Sequence, residues 1–136
     1  MLYNKIGKDG IKVSAIGLGT WEFAQTKAWG VGKIENYKKI VDYALDNGIN
    51  FIDTAEGYGK SEEILGDLLK GRRDDIVLAT KYSRVRQGFS YQNIRKSLEG
   101  SLKRLNTDVI DLYQIHWPKI KGHWSGGESG MGEKDY

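Results

Sequence analysis

The chain has 136 residues, 39% of them hydrophobic and 29% charged, with a net charge of +3 and no cysteine. That length suits one domain of ordinary globular composition. The charge is too small to argue for nucleic acid, and its densest patch, Lys70, Arg72 and Arg73, is followed at once by Asp74 and Asp75. Without cysteine there are no disulfides, no thiolate catalysis and no cysteine metal site. No apolar run approaches the roughly 20 residues of a bilayer span, and the N-terminus lacks the apolar stretch of a signal peptide, so the sequence points to the cytoplasm.

In chain order, Tyr3 to Ile6 and Ile11 to Val13 read as a hairpin around Asp9-Gly10, a favoured tight-turn pair. Ala15 to Thr20 reads as a short buried strand. Ile34 to Asn47 reads as a helix, with Tyr37, Ile40, Val41, Ala44 and Leu45 on one stripe and Gly48 as its stop. Ile49 to Asp53 is a strand. Ser61 is placed to cap a second helix, with Glu62 and Glu63 in its first turn and Ile64, Leu65, Leu68 and Leu69 as its buried face. Gly71 ends it. Ile76 to Thr80 is a continuous apolar run, as in a strand buried on both faces. Ser90 can cap a third helix bearing Tyr91, Ile94, Leu98, Leu102 and Leu105, and Val109 to Ile115 is a further strand. Strands alternating with amphipathic helices imply a parallel sheet with right-handed crossovers. Residues 119–136 lose the stripe and gather five glycines, which predicts an irregular tail.

In parallel α/β folds the C-terminal strand ends carry function. Asp53, Lys81 and His116 stand at three successive strand ends, and Tyr58 follows Asp53 in a loop that Gly57 and Gly59 make pliable. Tyrosine is a poor acid at neutral pH, since its ordinary pKa is near 10. A neighbouring ammonium favours the phenolate, a carboxylate holds that ammonium in place, and an imidazole can bond a carbonyl oxygen. Together the four could form a general acid above a carbonyl. Each also has a structural reading: Asp53 and Lys81 as an ion pair, Tyr58 as a loop packing residue, His116 as a satisfied core histidine. Only the conjunction points to chemistry. A metal site is disfavoured, because the two histidines, His116 and His123, form no ligand pattern. No Gly-x-Ser-x-Gly elbow appears, and Gly17-Leu18-Gly19-Thr20-Trp21-Glu22 has Glu22 where a dinucleotide loop needs its third glycine.

Asn50-Phe51-Ile52-Asp53-Thr54-Ala55-Glu56-Gly57-Tyr58-Gly59, with Ser61-Glu62-Glu63-Ile64-Leu65-Gly66, closely resembles the first motif of the aldo-keto reductase family. Ser97-Leu98-Glu99, Leu102-Lys103-Arg104-Leu105 and Asp108-Val109-Ile110-Asp111-Leu112-Tyr113-Gln114-Ile115-His116-Trp117-Pro118 resemble its second. Ala79-Thr80-Lys81 is similar to its lysine strand, Gly17 to Trp21 to its first barrel strand, and the opening hairpin to the one on its barrel floor. The resemblance implies a partial (β/α)8 TIM-type barrel over residues 1–118, about four β/α units preceded by an N-terminal β-hairpin. It implies NADPH-dependent reduction of an aldehyde or ketone to an alcohol. In that reading Asp53, Tyr58, Lys81 and His116 form the catalytic tetrad. Tyr58 would be the proton donor, Lys81 paired with Asp53 would tune it, and His116 would orient the carbonyl. Gly19, Thr20, Trp21 and Asp53 would lie beside the reactive end of NADPH.

The family's later strands, which stack the nicotinamide and grip the adenosine phosphate, have no counterpart in this sequence, nor does its lysine-rich third motif. The partner implied is a small carbonyl compound, with no nucleic acid and no membrane. Open sheet edges would invite self-association or complementation by a second half. Two functional expectations follow: a reductase, of which this chain is active itself or an inactive truncated fragment, or a non-catalytic binding and assembly module of the same fold.

Overall fold

The computed structural model describes residues 1–8, 10–24, 32–84 and 87–117. The turn residue Asp9, residue Pro118 and the glycine-rich tail at 119–136 lie outside the described residues. Two short strands, β1 (Tyr3–Lys5) and β2 (Lys12–Ser14), pair antiparallel with Tyr3 opposite Ser14. Four parallel strands follow in chain order across one sheet: β3 (Leu18–Gly19), β4 (Phe51–Asp53), β5 (Val77–Tyr82) and β6 (Leu112–Ile115). The helices α1 (Ile34–Asp46), α2 (Ser61–Leu68) and α3 (Tyr91–Leu105) make the crossovers. Adjacent strands joined by single helices are the arc of a partial (β/α) barrel.

The hairpin is fastened at the opposite end of the sheet from the candidate site. Asn50, just before β4, accepts from the Ser14 N–H through Oδ1 at 2.6 Å, and its own N–H donates to Ser14 Oγ at 3.1 Å. The core lies between sheet and helices. Phe23, Tyr37, Val41, Ile52, Ile64, Leu65, Leu69, Ile76, Leu78 and Leu105 form one buried cluster. Each fully buried side chain of this size contributes roughly 1.5–3 kcal/mol. Phe23, in a 3₁₀ turn at Trp21–Ala24, stacks on Tyr37 of α1 at 4.3 Å, which locks the segment after β3 against the first helix.

Several elements differ from the sequence reading. Ser61 does not cap α2. It is the first helical residue, behind Lys60 as N-cap, and its hydroxyl turns inward to donate to the Thr20 carbonyl at 2.7 Å. The last strand starts at Leu112 rather than Val109, because the Asp111 carboxylate takes the Leu78 N–H at 2.8 Å, and Arg73 holds both Asp111 Oδ2 (2.7 Å) and the Val109 carbonyl (2.8 Å). Side chains thus occupy groups that ladder bonds would use. The stripe of α3 also sits differently. Ser97, Ser101 and Leu105 are its buried residues, whereas Ile94, Leu98 and Leu102 are half-buried and Tyr91 is exposed. At Gly66 of α2 the two helices approach closely: a methyl group there would lie 2.7 Å from the backbone of Arg104 and Leu105. Ile40 of α1 is likewise exposed rather than buried. Ser90 does cap α3, accepting from the Asn93 N–H at 3.2 Å, and Gly48 and Gly71 follow their helices with positive φ, as stop residues do.

Candidate active site

Strand register determines which side chains share a face. Asp53 of β4 stands opposite Gly19 on one side and Ala79 on the other, and Lys81 stands opposite Gln114. Side chains alternate along a strand, so Ala79 and Lys81 point the same way, and Asp53, Lys81 and Gln114 converge on one face at the C-terminal strand ends. There Lys81 Nζ donates to Asp53 Oδ2 at 2.5 Å and to the Thr54 carbonyl at 2.9 Å. The Lys81 side chain is 14% exposed and that of Asp53 30%. A pair this withdrawn and this short is a charge-assisted hydrogen bond rather than a screened surface contact. Gln114 adds an N–H to Asp53 Oδ1 at 3.3 Å. Gln114 has no place among the residues predicted from sequence. Its position two residues before His116 is a parity signal, but its partner emerges only once β5 and β6 are in register.

Tyr58 reaches this pair from the loop after β4. The loop folds tightly: the Tyr58 N–H donates to the Ala55 carbonyl at 3.0 Å, and Gly59 takes φ +51° against the Ala24 backbone. Lys81 Nζ lies 5.1 Å from the centre of the Tyr58 ring, on its π face. His116, just past β6, meets Tyr58 edge-on at 5.4 Å between ring centres. The four predicted residues are therefore linked in one chain of contacts, Asp53 to Lys81 to Tyr58 to His116. Burial and the Lys81 ammonium push the His116 imidazole below its ordinary pKa, against the opposing pull of Asp53 and Glu56, which favours its neutral form. Its ring stacks on Trp117 at 4.8 Å.

The residues expected beside a cofactor divide. Trp21 is half exposed at the mouth, its ring 6.3 Å from that of Tyr58. Gly19 is exposed, with open space where a side chain would begin. Thr20 is instead wholly buried in the wall. Its hydroxyl donates to the Asp53 carbonyl at 3.1 Å and meets Ser61 Oγ at 2.8 Å, so its side chain offers nothing to a ligand. Asp53 spends one oxygen on Lys81 and the other on Gln114. Behind the site, Glu56 accepts from the N–H groups of Ser83 (2.8 Å) and Arg84 (3.2 Å), and buried Glu62 accepts from Thr80 Oγ1 (2.6 Å) and Arg104 Nε (2.7 Å). Sequence reasoning places Glu62 only as a first-turn acid and does not single out Glu56. Among the described residues no group of His, Cys, Asp and Glu could hold a metal ion, and no helix is long and apolar enough to cross a membrane.

The family model of the Aldo/keto reductase family matches residues 15–124. The chain belongs to that family. The curated aldo-keto reductase YhdN of Bacillus subtilis is 46% identical over 128 residues, which cover 87% of this chain and 38% of that protein. A solved structure of a putative aldo-keto reductase from Pseudomonas aeruginosa is 39% identical with a TM-score of 0.76, covering 84% of this chain and 47% of that one. An aldo-keto reductase of Klebsiella pneumoniae, solved in complex with NADPH, is 32% identical with a TM-score of 0.71, covering 88% and 41%. The chain thus spans less than half the length of these relatives. The family match begins after the hairpin and runs past the boundary expected at 118.

Proposed function

We propose that this chain carries the proton-donating half of an NADPH-dependent carbonyl reductase that turns a small aldehyde or ketone into an alcohol, with residues 1–118 as the catalytic unit and the cytoplasm as its compartment. The observation behind this reading is the unbroken contact chain from Asp53 through Lys81 and Tyr58 to His116 at neighbouring strand ends. It is a general acid with its tuning cation and a second donor already beside it. The surroundings suit the nicotinamide end of the cofactor. Gly19 leaves room for a flat ring and Trp21 offers an indole wall, while Asp53 bounds the floor through Lys81. When bound, NADPH would supply a hydride to the carbonyl carbon.

The protein's own side chains account for the rest. Tyr58 holds the carbonyl oxygen and gives up its hydroxyl proton to it. Lys81 stabilises the negative charge left on the phenol, and Asp53 and Thr54 keep the ammonium in place. His116, neutral, supplies a hydrogen bond to the same oxygen. An assembly module without chemistry would have no need of this set, and no observation favours that reading. The test is NADPH consumption with a panel of small aldehydes. Tyr58→Phe should lower turnover by about a hundredfold or more, as expected for a positioned acid. Turnover near that of the unaltered protein would refute the donor assignment.

A further inference from the structure

Ser83 stands two residues beyond Lys81 and holds three groups of the site together. Its Oγ lies 2.8 Å from His116 Nδ1, accepts the Gly57 N–H at 3.2 Å, and is 3.5 Å from the Lys81 carbonyl. Its backbone N–H is anchored by Glu56 Oε1 at 2.8 Å. A hydroxyl has one hydrogen to give. The Gly57 N–H takes up one of its lone pairs. The Lys81 carbonyl stands at the limit of hydrogen-bond reach, whereas Nδ1 is at full bonding distance. The hydrogen therefore goes to Nδ1, and in a neutral imidazole the ring proton must then sit on Nε2. The depressed basicity of His116 agrees with a neutral ring.

We propose that Ser83 is the positioning residue that sets the tautomer of His116: by donating to Nδ1 while accepting from Gly57, it makes Nε2–H the hydrogen-bond donor and ties the imidazole to the loop that carries Tyr58. The reductase reading gives this donor its use, as the second hydrogen bond to a carbonyl oxygen. The tautomer itself does not depend on that use. Gly57 is matched to this role. A methyl group there would fall 3.0 Å from both Cβ and Oγ of Ser83, so a side chain at this position would press on Ser83.

The test is nitrogen NMR of the ¹⁵N-histidine-labelled chain at neutral pH. His123→Gln removes the other of the two histidines, so the remaining ring signals belong to His116. The expected spectrum has the proton on Nε2 and the Nδ1 resonance shifted upfield by the serine hydrogen bond. In Ser83→Ala that resonance moves downfield toward an unbonded nitrogen, and in Ser83→Thr it returns. A proton on Nδ1 in the unaltered chain, or an Nδ1 resonance that Ser83→Ala leaves in place, overturns the proposal. Steady-state kinetics separate this from the reductase reading. Loss of one preset hydrogen bond should lower kcat/KM for a carbonyl substrate by about tenfold in Ser83→Ala, with Ser83→Thr restoring it. The expected resonances in a chain that reduces no carbonyl would keep the tautomer assignment and sink the reductase reading instead.

Discussion

Glu62 offers the sharpest test of the architecture beneath the site. Its side chain is 1% exposed, and its two oxygens are met by Thr80 Oγ1 at 2.6 Å and Arg104 Nε at 2.7 Å. Arg104 also stands 3.8 Å from Glu56 Oε2, so the same guanidinium steadies the carboxylate that anchors Ser83. Arg104→Leu would leave Glu62 buried with one hydroxyl for company. Stranding a buried charge costs about 3–5 kcal/mol. Because the Arg104 side chain is 27% exposed, water takes up part of the loss, and the lower end, about 3 kcal/mol, applies. Glu62→Gln keeps an oxygen for Thr80 but turns an N–H toward the guanidinium, which costs less. The double variant removes both charges, and a neutral amide beside leucine carries no stranded ion. The cycle should therefore show strong non-additivity, on the order of 2 kcal/mol, read from thermal or urea unfolding followed by tryptophan fluorescence and circular dichroism. For a domain of this size Arg104→Leu alone should lower Tm by on the order of 10 °C, with only a weak dependence on added salt because Glu62 is buried. Additive single variants, or an Arg104→Leu effect below about 0.5 kcal/mol, would show that the pair contributes like a surface contact and would refute the reasoning.

Gly57→Ala should push Ser83 away from His116 and lower kcat/KM by about tenfold or more while circular dichroism stays unchanged, as expected when a catalytic group shifts by a fraction of an ångström; full activity would show that the contact yields without consequence. His116 makes stability depend on pH. Its folded-state pKa is depressed by burial and Lys81 against the pull of Asp53 and Glu56, so the unfolded chain takes up the proton first as pH falls below about 6.5. Unfolding free energy should therefore drop from that pH down to the folded-state pKa and then level off. His116→Gln should remove that part of the slope, and an unchanged slope would contradict the assignment. Tyr113 has a buried hydroxyl with no hydrogen-bond partner among the described residues, so Tyr113→Phe should be neutral or stabilising by up to about 1 kcal/mol in a melting experiment. A clear loss would reveal a partner for that oxygen.

Much of the site was legible because its chemistry depends on residue types at strand ends, and strand ends can be found from apolar runs punctuated by glycine. Asp53, Lys81 and His116 could be assigned to strand ends from the apolar runs before them, and Tyr58 to the glycine-flanked loop after Asp53. The supporting residues were not legible, since their signals are ambiguous in one dimension. Ser61 before two glutamates looks like a helix cap, yet it lies one residue inside the helix and bonds Thr20 and Thr54. Glu62 looks like a first-turn acid and is a buried ion. Thr20 sits in a motif that suggests ligand contact, and its hydroxyl closes the wall behind Asp53. The α3 stripe misleads for a related reason: burial on a helix follows what faces it, and the residues that α3 buries are Ser97, Ser101 and Leu105.

The geometry also explains how so short a stretch of barrel brings the four candidate residues together. Most side-chain hydrogen bonds that orient these residues among the described ones come from β4, β5, β6 and the loops at their C-terminal ends. Lys81 is bonded by Asp53 and Thr54, Asp53 by Gln114, and the His116 ring by Ser83, while the backbone N–H of His116 donates to the Tyr82 carbonyl at 3.0 Å. Strands that follow one another in sequence lie side by side in this fold, so groups some thirty residues apart along the chain become neighbours through a single crossover each. The opposite face of the same strands packs against helices that carry a second charged pair. Along β5, Lys81 points to the mouth while Thr80 and Tyr82 point to the helices, where Glu62 of α2 pairs with Arg104 of α3. Site and support are thus two faces of one strand. A change that stays on the helix face, such as Arg104→Leu, should therefore cost stability while the Asp53–Lys81 pair stays formed and Glu56 stays held by Arg84 Nε at 3.2 Å and by the Ser83 and Arg84 N–H groups.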